Sequence, residues 1–321
     1  MDNRARVVSL HEAGESVIAT QFPAAEHQRV LAACCDVPEE RPSFAIPLTE
    51  VGISGKTAWV RLPQGILPFA ATMHVDLDAQ RRGIHMSRLE EAMTALHRQP
   101  FEDLRGYGVE LARRMLDRQQ ASHGSVTLQG KMPLLRTTVM SGRTSLDTIE
   151  ISVAVQVERR GERIVDQVTI GAGLYHITAC PCTQAYNRVL FGENPAECPQ
   201  PTHSQRSFTR LAVAAASGIP AYEELVDCLA SALHVTQDLL KRPDEAEIVL
   251  QSHRHPQFAE DAVRETARAA GRFFGGRLPP AAAVTIESLS LESIHIHDVR
   301  CRLDTTMGAL LACLDQCDGN P

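Results

Sequence analysis

Hydrophobic residues in this chain alternate with polar ones over long stretches, and those stretches are separated by segments with helical spacing. The clearest alternation is Ile149, Ile151, Val153, Val155 and Val157, each flanked by more polar neighbours. It predicts a strand with one buried face. The same pattern predicts strands near 48–61, 68–78 and 124–137 before it, with the alternating strand itself near 146–158. A helix is expected from Ser87 or Arg88, and a second over about 101–120, where Phe101, Leu104, Leu111, Met115 and Leu116 share a face. Arg159-Arg160-Gly161-Glu162 reads as a hairpin turn. The order then recurs: strands near 163–171 and 205–216, helices near 221–240 and 257–274, strands near 283–291 and 294–304. Strand-strand-helix-helix-strand-strand occurs twice, as a repeat of pattern rather than of sequence. Residues 1–40 form a lead, 41–160 a first module and 161–321 a second. The expected class is α+β, antiparallel sheets with helices on one side, in a barrel that further subunits complete.

The last strand pair is irregular. Val284 and Ile286 share one parity, Leu289 and Leu291 the other, and Ile294 and Ile296 return to the first. Each change of phase predicts a bulge or break, and bulges re-aim side chains, often beside active sites. His295 and His297 would share the face opposite Ile294 and Ile296.

Composition narrows the class of protein. The 321 residues are 44% hydrophobic, enough for a real core, and a formal net charge of -7 disfavours nonspecific nucleic-acid binding. Lysine occurs only at 56, 131 and 241, so basic charge is nearly all arginine, more by coding bias than for phosphate recognition. Met1–Ser16 is charged and lacks the apolar core of a signal peptide, and no apolar run approaches the roughly 18 residues of a membrane span. With nine cysteines, an odd count, the expectation is a cytoplasmic protein with free or metal-bound thiols. Gly55-Lys56-Thr57 is not a phosphate loop, because position 50 is glutamate where the motif needs glycine.

The stretch with the most chemistry is Ala179-Cys180-Pro181-Cys182-Thr183-Gln184, followed downstream by Thr202-His203-Ser204-Gln205-Arg206-Ser207. A thiol and an imidazole fall at the ends of two predicted strands, and the proline places Cys180 at a fixed bend. Both side chains ligate zinc- and iron-type cations. No second C-x-x-C or H-x-x-x-H half accompanies them, which points to an open catalytic site rather than a closed structural one. A buried unreactive thiol beside a surface histidine is the plain alternative.

Five motifs resemble the GTP cyclohydrolase type IB family, including its archaeal methanopterin-type members. They are Asp76-Leu77-Asp78 with Arg82-Gly83-Ile84-His85-Met86-Ser87-Arg88; Cys180-Pro181-Cys182; His203-Ser204-Gln205-Arg206-Ser207; Phe258-Ala259-Glu260-Asp261-Ala262; and Leu291-Glu292-Ser293-Ile294-His295-Ile296-His297. They run in family order over most of the chain. The resemblance implies tandem tunnelling-fold modules, a homotetramer with active sites between subunits, and hydrolysis of GTP at C8 of guanine with loss of formate. The 23 residues between Cys180 and His203, and Thr183-Gln184 after the cysteines, look like the methanopterin-type branch. The product that the resemblance implies is a dihydroneopterin triphosphate or its cyclic phosphate, and the phosphate form stays open.

The resemblance also implies roles. Cys180, His203 and Glu260 would hold a divalent metal (iron, manganese or zinc), leaving a place for water. His295 would be the general acid/base, with His297 its rival on the same strand face. Glu292 would accept from N1–H and the N2 amino group of guanine. Apart from the resemblance, Arg82, His85, Ser87 and Arg88 stand near a helix start, where they would contact phosphates, and Arg206 is a further candidate; a helix cap with surface arginines would give the same letters. His253 and His255 read as a polar helix end. Two other functions compete: a related enzyme using Cys180 as a covalent nucleophile on a pterin or deazapurine, and a nonenzymatic metal-binding protein.

Overall fold

The alternation at 149–157 folds as a strand: β4 (Thr144–Arg160) buries Ile149, Ile151, Val153, Val155 and Val157 on one face. The computed structural model describes residues 21–192 and 198–318, so the leader expectation for Met1–Ser16 lies outside the described residues. A short helix α1 (Ala24–Ala33) belongs to the lead. The first half then runs β1 (Leu48–Leu62), β2 (Gly65–Leu77), α2 (Met86–Leu96), α3 (Leu104–Gln119), β3 (His123–Thr137) and β4. Asp103 caps α3 by accepting from Gly106 N at 2.7 Å, which is why that helix begins after Phe101 rather than at it.

The second half runs β5 (Arg163–Ala179), α4 (Pro181–Phe191), β6 (Ser204–Ala214), α5 (Tyr222–Ala232), β7 (His234–Val235), α6 (Arg242–Arg254), α7 (Ala259–Phe274), β8 (Ala283–Ser290), β9 (Val299–Thr306) and α8 (Met307–Asp318). All strands join one antiparallel sheet in the order β1-β2-β3-β4-β5-β6-β8-β9, with β7 paired to β5. The sheet continues without a gap through the β4–β5 hairpin, where Arg160 pairs with Arg163. Helices α2 and α3 cover the first half, α5 and α7 the second. The mixed α and β class with an antiparallel sheet is therefore the observed one.

Several boundaries differ from the sequence reading, each for a physical reason. β5 extends to Ala179 because Gly171 and Gly173 are close-approach positions, not breaks. A Cβ at Gly173 would lie 2.4 Å from the Phe208 ring on β6, and one at Gly171 2.8 Å from Ser152 Oγ on β4. The helix expected over 221–240 stops at Ala232, and α6 follows as a separate helix with Pro243 in its first turn. The strand expected over 294–304 begins only at Val299. Residues 292–298 pair with no strand: the β6–β8 ladder ends at Ser207–Ser290, and Leu291 N donating to Arg206 O at 3.0 Å is its last backbone contact.

The expected phase change in β8 is absent. Its register with β6 and β9 is continuous, and its buried positions are Val284, Ile286, Ser288 and Ser290. Hydrophobic parity changed there because serines took the buried positions while Leu289 faces outward, 37% exposed. The register shifts lie instead in β1–β2, between Leu48 and Val51 and between Ile53 and Lys56.

Candidate active site

The sequence motifs of the second half meet at one end of the sheet. Cys180 directly follows β5 and is the N-cap of α4, with Pro181 at the first helical position, where a missing N–H costs nothing. The Cys-Pro pair thus starts a helix as well as ending a strand. Cys180 N donates to His203 O at 3.1 Å, and Thr202 Oγ1 donates to Cys180 O at 2.6 Å, so the thiol-bearing and imidazole-bearing backbones are tied together. Thr183 Oγ1 lies 3.7 Å from Cys180 Sγ. Cys180 and His203 are half-buried; Cys182, one helical residue further on, is exposed.

A polar chain leads from His203 to Glu292. His203 Nδ1 is 3.1 Å from Gln205 Oε1, Gln205 Nε2 is 3.4 Å from Glu292 Oε1, and Ser290 Oγ donates to the same oxygen at 2.9 Å. Behind Ser290 the helix-covered face turns polar on three adjacent strands. Thr178 bonds Ser207 at 2.8 Å and Ser290 at 3.4 Å; one rung deeper, His176 Nε2 bonds Thr209 Oγ1 at 2.8 Å, which donates to Ser288 Oγ at 2.9 Å. All six of these residues are essentially sealed from solvent. Burial pulls the His176 pKa down to about 4, partly opposed by the Ile177 backbone and aided by nearby His234, so the ring is neutral.

Glu260 lies in the first turn of α7, whose approach is anchored to the site by Ala179 N donating to Gln257 O at 3.3 Å. Its neighbour Asp261 accepts from Phe258 N at 3.0 Å and serves the helix end, which leaves Glu260 as the exposed carboxylate of the pair. Glu260 also acts on Cys301 of β9: burial first, then this carboxylate, pushes the Cys301 thiol up. Among the described residues the ligand atoms of Cys180, His203 and Glu260 do not gather around one point, whereas those of Asp36, Glu39 and His85 lie within 4.8 Å of one another.

His295 and His297 sit not on a strand but in the bend between β8 and β9. Both are exposed, with their rings stacked at 5.2 Å and 13°. They share a side as the alternation required, but ring stacking holds them together rather than strand geometry. Ile294 and Ile296 are exposed too, at 62% and 108%. His253 and His255 end α6 as read; both ring nitrogens of His253 face carbonyl oxygens, of Val249 at 2.7 Å and Thr202 at 3.3 Å.

The expected phosphate contacts fall elsewhere. His85, Ser87 and Arg88 stand at the start of α2, beyond the end of β2 that aligns with the start of β5. A β5 of 17 residues separates them from Cys180, roughly 50 Å at strand rise. His85 Nε2 is 2.9 Å from Glu39 and 3.8 Å from Asp36, and Arg81 Nη2 is 2.8 Å from Glu39. His85 first, and then Arg81, hold the Glu39 carboxyl below its usual range. Arg88 donates to Arg118 O at 3.3 Å, and Ser87 is exposed. Arg206 lies near the second-half site but on the opposite sheet face from Gln205, its guanidinium 5.5 Å from the Tyr175 ring centre.

At the His85 end of the sheet a cleft of about 600 Å³ is lined by Glu50, His74, Asp76, His123, Glu158 and Arg160 among others. Asp76 there accepts from the backbone N–H of Ser122 and His123 at 2.9 and 2.8 Å. His74 and His123 carried no sequence signal, because each is an isolated histidine on a strand and only pairing brings them to one wall. Gln205 and Ser290 were also passed over. The phase change at Ser288–Ser290 was the visible signal of Ser290, and it was read as a bulge.

The chain is similar to known proteins over most of its length. The GTP cyclohydrolase MptA 2 of Methanocella arvoryzae is 31% identical over 305 residues, 86% of this chain and 97% of that protein. The GTP cyclohydrolase MptA of Methanocaldococcus jannaschii is 28% identical over 306 residues, covering 86% and 96%. Among solved structures, the uricase of Arthrobacter globiformis aligns with a TM-score of 0.49 and 7% identity over 80% of this chain and 93% of that one. Residues 34–301 match the family described as type I GTP cyclohydrolase folE2. That span holds the Cys180, His203, Glu260 and Glu292 motifs, and the chain belongs to the type I GTP cyclohydrolase folE2 family, a family of hydrolases.

Proposed function

We propose that this protein is a metal-dependent GTP cyclohydrolase that opens the guanine imidazole ring at C8, releases formate and yields a 7,8-dihydroneopterin phosphate, triphosphate or 2',3'-cyclic. The observation that carries this reading is the continuous contact from the Cys180–His203 pair through Gln205 to Glu292. It sets metal-type donors beside a carboxylate suited to guanine.

The donor set fits a divalent cation: thiolate, imidazole and carboxylate together suit iron(II), manganese(II) or zinc. Cys180 and His203 would hold it, with Glu260 of α7 as the third ligand. Such a cation supplies Lewis acidity and lowers the pKa of bound water. Glu292 accepts from N1–H and N2–H of guanine and so orients the base. His295 moves protons to and from the opening ring's nitrogens, a task for which its exposed position beyond β8 leaves it room to swing over a bound base.

The protein acts as a homotetramer built on the tunnelling fold, with each site shared between copies. Two facts support sharing: the basic start of α2 and the Cys180 end lie at opposite ends of one sheet, and β1 and β9 leave open edges. A second copy brings Ser87 and Arg88 to the phosphates bound beside Cys180. Cytoplasmic location fits the free thiols, and among the described residues no helix is long and apolar enough to cross a membrane.

The test is anaerobic incubation of metal-loaded protein with GTP, reading formate and the mass of the product. Stoichiometric formate with a dihydropterin phosphate is the expected result. Metal binding with no formate would leave only a metal-binding protein, and turnover without metal would favour Cys180 as a nucleophile.

A further inference from the structure

The amide of Gln205 touches both functional parts of the site, and its orientation follows from elementary donor–acceptor logic. A carboxylate oxygen only accepts hydrogen bonds. Glu292 Oε1 lies 3.4 Å from Gln205 Nε2, so the amide nitrogen donates there and Gln205 Oε1 must face the other way. That oxygen is 3.1 Å from His203 Nδ1, and an amide oxygen also only accepts. His203 Nδ1 therefore carries the proton, and its Nε2 keeps the lone pair a metal needs. Metal-ligating histidines are commonly fixed this way, by donating from the nitrogen that does not bind the ion.

The same amide holds Glu292. Its Oε1 receives both Gln205 Nε2 and Ser290 Oγ, and among the described residues Oε2 has no hydrogen-bond partner. Ser290 is sealed from solvent and is backed by Thr178, so the carboxylate is gripped from a rigid side.

We infer that Gln205 is a positioning residue that couples the two halves of the site: it selects the His203 tautomer that ligates through Nε2 and aims the free oxygen of Glu292 at guanine. This rests on the cyclohydrolase reading above. One side chain thus serves two tasks that substitution can separate. A glutamate at 205 still accepts from His203 Nδ1–H, but it places a second carboxylate against Glu292. A leucine supports neither contact.

The experiment measures two affinities without turnover: manganese(II) titrated into nucleotide-free protein, and GTP titrated into metal-free protein, both by calorimetry, with the melting temperature as a folding control. Gln205→Glu is expected to bind manganese at least as well as the natural protein and GTP more than tenfold more weakly. Gln205→Leu is expected to lose about 10–100-fold in manganese affinity and also to bind GTP weakly. Ser290→Ala is expected to weaken GTP severalfold and leave manganese unchanged. Parallel losses of both affinities in Gln205→Glu, at an unchanged melting temperature, would overturn the coupling while leaving the cyclohydrolase reading intact. Unchanged affinities in Gln205→Leu would do the same. Natural protein that binds GTP or manganese not at all would overturn the reading and the inference together.

Discussion

The two halves of the sheet are built alike and buried differently. Under α2 and α3 the strands of the first half present Val60, Phe69, Met73, Val126, Leu128 and Val153, an apolar face of ordinary kind. Under α5 and α7 the second half begins the same way, with Ile170, Ala172, Leu211, Val213, Val284 and Ile286, and then changes. Its last rungs are His176 and Thr178, Ser207 and Thr209, Ser288 and Ser290. The change occurs at the same level on three adjacent strands and ends at Glu292. An apolar face needs no partner geometry; a sealed polar face is costly wherever a group lacks a partner, and here the five hydroxyls and His176 Nε2 have one while His176 Nδ1 does not. The second half therefore fixes side-chain directions next to its site, whereas the first half only fills space.

The sharpest break of this comparison is to remove the metal-type donors from the second half. Cys180→Ala and His203→Ala should each abolish bound metal and formate release while the oligomer persists, as read by metal analysis and light scattering. Full metal occupancy in either variant would end their assignment as ligands. Guanine selection comes next in size. If Glu292 reads N1 and N2, ATP turnover should fall below GTP turnover by about 10⁴-fold or more, because adenine leaves that carboxylate unpaired. Equal rates with the two nucleotides would remove Glu292 from substrate recognition.

His295→Ala should lose about 10²–10⁴-fold in turnover with metal and GTP binding intact, and His297→Ala should be milder. Because the two rings stack, a dead His297→Ala with an active His295→Ala would reverse the roles. Mixing Arg88→Ala subunits with His203→Ala subunits checks whether the two ends of the sheet meet between copies. Recovery of activity in the mixed oligomer is expected, and none would confine the site to one chain.

Stability measurements sharpen the contrast between the two faces. Thr209→Val strands the His176 Nε2–H and should cost about 1–3 kcal/mol by urea unfolding. In the first half the opposite exchange, Val153→Thr, buries a hydroxyl among apolar side chains and should cost a similar amount. A neutral result for Thr209→Val would mean the ladder does not depend on its hydrogen bonds. The last effect is in pH. His176 is held near 4 by burial, below the ordinary 6.5, so the unfolded chain takes up a proton between those values and the folded one does not. That contribution is complete above about pH 6.5 and fades as pH falls toward 4, at no more than about 1.4 kcal/mol per pH unit. His176→Gln should flatten this slope in urea titrations at pH 7 and pH 5.

Much of this was legible before any tertiary contact was known. Alternation located the strands to within a few residues, with β5 cut short and the last strand placed five residues early. It did so because a half-buried strand must obey period two. The Glu260 helix and the helical end at His253 were equally readable. Cys180 and His203 were singled out by their chemistry, and the structure brings their backbones together. Helix α4 was missed because Pro181 after a strand reads as a bend, although at the first helical position it starts a helix just as well. The serines of β8 were misread because sequence hydrophobicity cannot separate a bulge from a buried hydroxyl, which has the same letters and a different partner.

What the sequence determined by itself is local periodicity and chemical type, since both are carried by neighbouring residues. Only the tertiary structure decided that Gln205 stands between His203 and Glu292, and that His85 and Arg88 lie a full strand length from Cys180. Those relations depend on the pairing of β5, β6 and β8 and on the length of β5, which no local pattern encodes.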